Sequence, residues 1–391
     1  MGELESLLLV LALIYLSECL VWVRRGALAF GTWCGKHFRI LHPGAILANQ
    51  RGGLLLVNPL PPLGTVFVSQ GFPFSLSPEG AFAYSSACLD PAGRSSQTAR
   101  YLRFEDVRDL AVEGRQVLVN GAIFLNAIST FSARQWADWL RRLGKLPKAG
   151  RANAIEELIH ESLNGEKTSR HLRDCQSRAR PIRILSNALF VYLFLMVVPL
   201  VWRFGFGKFG LWLLAGMLAQ TVAIAILFRR AHQALYPGAD EERFKPFLTM
   251  LLAPPTAIRA PDLLARHRLE HAHALAVARL LCRPRTFRTF ARRLLLDLRY
   301  PLFPVCPTND PDAVAAEEWF RAAQQKAIEQ FLQRADLDPN ELTAPPRPAE
   351  QANQSYCPRC RAQFVIRDGT CADCGGRPLQ PFGSDGAMNR C

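Results

Sequence analysis

Apolar residues gather in three long blocks along the chain, separated by stretches in which they alternate or recur at helical spacing. Leu4 to Val23 is almost wholly apolar and is followed directly by Arg24 and Arg25. Ile184 to Trp202 and Phe209 to Phe228 are the other two blocks. Each approaches the roughly 20 residues that a helix needs to cross a bilayer core, so each predicts a transmembrane helix. The turn from Arg203 to Lys208 is short enough to make the last two a tight hairpin. Trp202, Phe204, Phe206 and Trp212 then fall at the aromatic belt. Ala215, Ala219 and Ala223 share one face of the third helix, where the second can approach closely or lipid can lie. Glu18 lies near the end of the first block and can snorkel to the headgroups.

Shorter patterns fill the segment between the first and second blocks. Leu54 to Val57 stops at Asn58-Pro59, and Val66 to Val68 stops before Gly71. Tyr101 to Phe104, Val117 to Val119 and Ala122 to Leu125 read as strands, with Glu113-Gly114-Arg115 as one turn. Asn120-Gly121 is a strong hairpin signal. Phe131, Trp136, Trp139, Leu140 and Leu143 then recur at helical spacing, predicting a helix from Ser132, its expected N-cap, to Leu143. Strands with tight hairpins closed by one amphipathic helix make residues 54–146 resemble a pleckstrin-homology-like domain of the bacterial type. That likeness implies an adaptor that binds a partner or lipid without catalysis. Ala152 to Arg178 reads as a basic helical connector back to the membrane.

After the third block the pattern is mostly helical. Phe247 to Ala253 is apolar but too short to span, and Pro254-Pro255 breaks it. A helix is predicted from Pro261 to Leu281, carrying His267, Glu270, His271 and His273. Arg283 to Arg299 is amphipathic and basic, suited to anionic lipid or to packing on its own domain. Asp312 to Leu332 is a further helix. Residues 338–354, with Pro345-Pro346 and Pro348, read as an extended spacer.

Two clusters could carry chemistry. Cys357-x-x-Cys360 and Cys371-x-x-Cys374 are ten residues apart. Four thiolates so spaced can close tetrahedrally on one Zn²⁺, leaving no open position, so the ion is expected to be structural. Gly375 and Gly376 let the backbone curl around the sulfurs, and Phe364 and Val365 supply a small apolar patch. Residues 356–382 resemble a zinc ribbon. The second cluster is His267-Arg268-Leu269-Glu270-His271, an H-x-x-E-H string similar to that of the inverted zincin metalloproteases. That likeness implies His267 and His271 as ligands and Glu270 as general base, with Glu317, Glu318 or Glu329 as a third ligand.

Charge and cysteine usage sharpen the picture. The formal charge of +14 has no basic stripe with interleaved aromatics, which disfavours nucleic acid as a partner. Arg24, Arg25, Arg178, Arg180, Arg183, Arg229 and Arg230 flank the apolar blocks on one side, against Arg203 and Lys208 on the other. The positive-inside rule makes the arginine side cytoplasmic and the N-terminus external. Seven of the eleven cysteines (Cys391 among them) are scattered without framework spacing, as suits a reducing compartment.

The expected fold is therefore a mixed α and β membrane protein with three transmembrane helices. It divides into a span at 4–23, a β-rich cytoplasmic domain at 24–146, a helical connector at 147–183 and a membrane hairpin at 184–228. A helical cytoplasmic region at 229–337, a linker at 338–354 and a zinc ribbon at 355–382 complete it. The expected role is a non-enzymatic multi-pass scaffold of the inner (plasma) membrane. Its partners would be the bilayer and a cytosolic or membrane protein, with self-association left open. A membrane-bound zinc hydrolase and a tethered nucleic-acid-binding ribbon are the alternatives.

Overall fold

The structure, a computed structural model, describes residues 3–18, 20–23, 28–33, 37–41, 54–57, 66–69, 71–83, 100–127, 129–205, 207–238, 240–301 and 310–382. Arg24, Arg25, the turn at 58–62, Phe206 and Cys391 lie outside the described residues, as does the side chain of Glu18.

Helix α1 (Glu3–Glu18) ends before the first apolar block does. Its 16 residues reach about 24 Å, short of a bilayer core of roughly 30 Å. Leu20–Val23 is strand β1, followed by β2 (Leu28–Trp33), β3 (His37–Leu41), β4 (Leu54–Val57) and β5 (Val66–Ser69). β1 pairs antiparallel with β4, Trp22 opposite Leu55. The expected span at 4–23 is thus corrected: β-branched and aromatic residues at its end take a strand partner instead of prolonging the helix. Among the described residues, two helical stretches are long and apolar enough to cross a membrane, not three.

β2 is the centre of a three-stranded antiparallel sheet with β3 and β5. Two more three-stranded sheets follow. β6 (Phe74–Leu76), β7 (Gly80–Ala83) and β8 (Arg100–Arg103) form one, and β9 (Leu110–Glu113), β10 (Gln116–Val119) and β11 (Ala122–Asn126) the other. Asn120 and Gly121 both take positive φ, 51° and 75°, as the tight β10–β11 turn demands. The Asn120 side chain holds that turn, accepting from the Arg108 and Asp109 N–H groups and donating to Asp106 O. Helix α2 (Thr130–Lys145) closes the segment and buries Ala133, Trp136, Leu140 and Leu143. Its N-cap is Ser129 rather than Ser132: Ser129 Oγ accepts from Ser132 N at 2.9 Å.

Helix α3 (Lys148–Ser162) leads to α4 (Gly165–Val191), capped by Asn164, which accepts from Lys167 N. α4 runs on through a π-helical turn, Tyr192–Val197, into α5 (Val198–Phe204). Pro199 offers no N–H at that point, which explains the widened turn. Gly205, at φ 69°, begins the hairpin turn, and α6 (Gly207–Leu235) returns. Ala215 and Ala219 are exposed, so the alanine stripe does not make the contact between the arms. The close approach is at Gly216, where Tyr192 lies against the backbone and its hydroxyl donates to Leu213 O at 2.8 Å. α1 packs beside this hairpin, with Tyr15 5.8 Å from Phe190 and 5.6 Å from Phe194.

Helix α7 (Asp240–Leu252) doubles back along α6 and leads into a 3₁₀ segment, Pro254–Arg259. Helices α8 (Ala260–Ala265) and α9 (Ala274–Leu281) come next. α10 (Pro284–Arg299) turns Phe287, Phe290 and Leu295 into the protein core, so its apolar face is not free for lipid. α11 (Pro311–Gln333) lies across β6–β8, where Ser75 Oγ bonds Glu317 and Arg103 bonds Asp312. The expected spacer is partly ordered: α12 (Pro339–Thr343) packs on α10. The ribbon follows, with short strands at Ser355–Tyr356, Gln363–Phe364, Thr370–Cys371, Arg377–Pro378 and Gln380–Pro381.

Candidate metal centre

The ribbon is too short for a conventional core, and its interior is made of cysteine. Cys357, Cys371 and Cys374 are buried and Cys360 is exposed, with Leu379 and Phe364 packed against them. All four sulfurs lie within 4.8 Å of one another. Cys360 and Cys371 Sγ are 3.7 Å apart. A tetrahedral ion with bonds of about 2.3 Å to sulfur needs neighbours about 3.8 Å apart, so the set can hold a metal ion. Burial alone would push the Cys357 thiol up, but the backbone N–H groups of Cys360 and Arg359 outweigh it and hold it below its usual range. Burial raises Cys360 and Cys371. Four crowded thiols cannot all ionise without a cation, and a divalent ion removes that conflict.

Each knuckle turns with positive φ at the residue after its second cysteine. Gly375 takes φ 67° in the second knuckle, and Arg361 takes φ 64° in the first. A side chain there is strained by about 1 kcal/mol or more, and what holds it is visible. Arg361 donates to Leu342 O at 3.3 Å and Ala344 O at 2.7 Å, pinning the ribbon to the end of α12. Arg377 reaches Pro301 O at 2.8 Å and lies over the Tyr300 ring. Arg359 pairs with Asp297 of α10 at 2.6 Å while another of its nitrogens lies 3.8 Å from Cys374 Sγ. The cysteine spacing announced the site, whereas these three arginines carried no recognisable signal.

The H-x-x-E-H string is placed differently from its expected helix. The helix predicted from Pro261 to Leu281 is broken into α8 and α9, and residues 266–272 form a turn. His267 and His271 therefore do not share a helical face. They flank one carboxylate: Glu270 Oε2 is 3.1 Å from His267 Nδ1, within hydrogen-bond reach, whereas Oε1 is 3.5 Å from His271 Nε2, which makes no hydrogen bond. Ser129 Oγ donates to Oε1 at 2.8 Å, joining the N-terminus of α2 to this turn. Burial raises the Glu270 carboxyl, but the His267 bond, the two imidazoles and Ser129 prevail and leave it below its usual range. His273 caps α9, its Nδ1 accepting from Leu275 N. Glu317 is engaged with Ser75 and Arg321, and Glu329 with Arg299 and Gln325. Among the described residues, the four cysteines are the one group of three or more such side chains close enough to share an ion.

His271 also lines a cleft of about 650 Å³ between α2, the end of α3, the start of α4 and the 266–272 turn. Phe72, Phe131, Trp136 and Trp139 form its aromatic lining. Its charges cancel: Arg142, Lys167 and Arg268 face Asp138, Glu157 and Glu161. The balance gives no charge by which to choose a ligand. In comparison with known proteins, the chain matches no family model, no curated protein and no solved structure.

Proposed function

We propose that the chain is a non-enzymatic integral membrane adaptor, anchored by the α4–α6 hairpin and carrying a structural zinc ribbon that contacts a cytosolic partner. Support for the anchor is the exposure of the two apolar stretches. Only 28% and 22% of their most apolar windows are buried within the protein, whereas a helix in a soluble core would be mostly enclosed. A hairpin returns the chain to its starting side. Arg178, Arg180, Arg183, Arg229 and Arg230 flank it there, and the positive-inside rule makes that side cytoplasmic. Four thiols in a reducing compartment suit Zn²⁺ above other divalent ions. The likeness of residues 54–146 to bacterial pleckstrin-homology-like adaptors points the same way.

The observation that carries the partner reading is at the tip of the ribbon. Val365 and Ile366 are 62% and 50% exposed in the connection from Gln363–Phe364 to Thr370–Cys371, just before the second knuckle, while Arg359, Arg361 and Arg377 are committed to the body of the protein. An exposed apolar pair on a fixed platform is a contact surface in miniature. The test is affinity purification in mild detergent with metal analysis. It compares wild type, Cys357→Ser/Cys360→Ser and Val365→Asp/Ile366→Asp. The expected result is about one zinc per chain in wild type, zinc and partner both lost in the first variant, and the partner alone lost in the second. A partner set that neither variant changes would leave the ribbon as a purely structural element.

A further inference from the structure

The sequence predicts an apolar run at Phe247 to Ala253, too short to span and broken at Pro254-Pro255, and the placement of that run in the structure is informative. α7 has 13 residues, about 20 Å, too few to span. It nevertheless leaves an apolar face uncovered. Phe244 is 63% exposed, Leu248 41% and Leu252 77%, at steps of four residues along one side. Its other side is packed, with Met250 fully buried and Phe247 under the Arg229 guanidinium at 6.0 Å.

The helix then descends alongside the hairpin. Tyr192 lies opposite Gly216, so antiparallel pairing sets Ser186 about level with Val222. Ser186 Oγ donates to Ala257 O at 3.1 Å. Ser186 lies one helical turn beyond Arg183 on α4, and Val222 about two turns beyond Arg229 on α6, which puts this level roughly 5–10 Å past the flanking arginines. The 3₁₀ segment therefore sits inside the apolar band, not above it. There its exposed neighbours are Ile184, Leu218, Val222 and Ile226.

Irregular backbone at membrane depth is tolerated only where protein encloses it. Pro255, Thr256, Ala257 and Ile258 are all buried, in contact with α1, α4 and α6. Pro254 and Pro255 have no N–H to satisfy. Arg259, fully buried, pairs with Asp262 at 2.5 Å, and Arg266 reaches the same carboxylate at 3.4 Å, on the way back out.

We propose that Asp240–Arg259 is a re-entrant membrane element. α7 enters from the arginine-flanked side, the chain turns at Pro254–Pro255, and it leaves on the side it entered, with Phe244, Leu248 and Leu252 against lipid acyl chains. The proposal rests on the membrane reading of the α4–α6 hairpin. It adds a third lipid-facing element without changing the side on which the ribbon lies. Lipid is the occupant because the exposed face continues that of α6, and because the Arg229 and Arg230 side chains at its entrance suit anionic headgroups.

The full chain, in nanodiscs of phosphatidylcholine and phosphatidylglycerol doped with a lipid bearing a diazirine on its acyl chain, tests this. After irradiation, mass spectrometry locates the labelled residues. The expected result is acyl adducts on Phe244, Leu248 and Leu252 comparable in yield to those on Leu218 and Val222. Adducts on 218–226 with none on 244–252 would overturn the re-entrant element and leave the hairpin standing. Chain-to-chain crosslinks at 244–252 in place of lipid adducts would overturn it too, in favour of a second copy. No adducts at either place would remove the membrane reading, and the proposal with it.

Discussion

Replacing Gly216 by Ala should loosen the α4–α6 hairpin through a single partner, Tyr192. A Cβ at position 216 would stand 2.7 Å from Tyr192 Oη and 3.2 Å from Cζ, where ordinary contact begins at 3.4 Å. The ring must retreat by roughly 0.7 Å, which takes the hydroxyl out of its 2.8 Å bond to Leu213 O. Losing that bond costs about 1 kcal/mol, and the overpacking about 1–3 kcal/mol. Alanine in a helix returns about 1 kcal/mol relative to glycine. The net expectation is destabilisation of about 1–3 kcal/mol. Tyr192→Phe alone should cost about 1 kcal/mol for the same hydrogen bond. On that background, however, the nearest clashing atom is gone, so Gly216→Ala should be neutral or slightly stabilising. The four proteins, purified in one detergent and unfolded by SDS titration, make a double-mutant cycle with an expected coupling of about 2 kcal/mol. Additivity within about 0.5 kcal/mol would refute the argument. So would a Gly216→Ala protein as stable as wild type.

Acid should destabilise the fold before its carboxylates titrate. Burial, with Arg268 nearby, holds His171 down to about 4, burial alone holds His273 at about 4, and burial also lowers His271. Between the unfolded value of about 6.5 and those values the unfolded chain takes up protons that the folded one refuses. Stability therefore falls as pH falls, by up to about 1.4 kcal/mol per unit for each histidine. The depressed Glu270 adds a loss only at lower pH, as it falls through that carboxyl's own range. A urea midpoint unchanged from pH 7 to 5 would contradict this, and His171→Gln should flatten the slope. Arg151→Met should cost about 2–4 kcal/mol in the same assay, because the buried guanidinium serves Leu143 O, Leu146 O and Pro78 O together. Arg361→Gly should keep the metal-binding capacity of the four cysteines, since glycine accepts φ 64° without strain, yet release the ribbon from α12. Faster proteolysis between Ala344 and Gln354 at unchanged metal content is the expected readout, and unchanged proteolysis would count against the docking role.

What the sequence made legible was local. Apolar length alone marked both arms of the α4–α6 hairpin, Asn120-Gly121 marked the β10–β11 turn, and the four cysteines marked the metal centre by spacing. What it concealed depended on partners far along the chain. The first apolar block stops being helix at Glu18 because Leu20–Val23 finds β4, more than thirty residues later. The H-x-x-E-H string is polar and helix-compatible in isolation. Its turn is fixed by a bond from Ser129 to Glu270, 141 residues apart. Ala215, Ala219 and Ala223 had the right size and period for a helix contact, but the adjacent face, with a single glycine at 216, makes it. Periodicity tells which residues share a face, and only packing tells which face is used.

The excess of arginine changes meaning in the same way. A charge of +14 reads first as attraction to anionic lipid. Several of the arginines, however, are internal fasteners. Arg151 joins three backbone carbonyls, Arg259 pairs with Asp262 in the core beside the α4–α6 hairpin, and Arg361 and Arg377 hold the ribbon to carbonyls of the body. Guanidinium suits this work because it stays charged and offers five donors in a fixed fork. Arg359 is the most consequential of them, since one guanidinium touches both Cys374 Sγ and Asp297 of α10. Metal bound to the four thiolates would leave negative charge on sulfur for Arg359 to meet. Loss of the metal would be felt at α10 as well as inside the ribbon. On that geometry the ribbon is docked on α10 and α12, and any partner it recruits would meet Val365 and Ile366 at a fixed position relative to those helices.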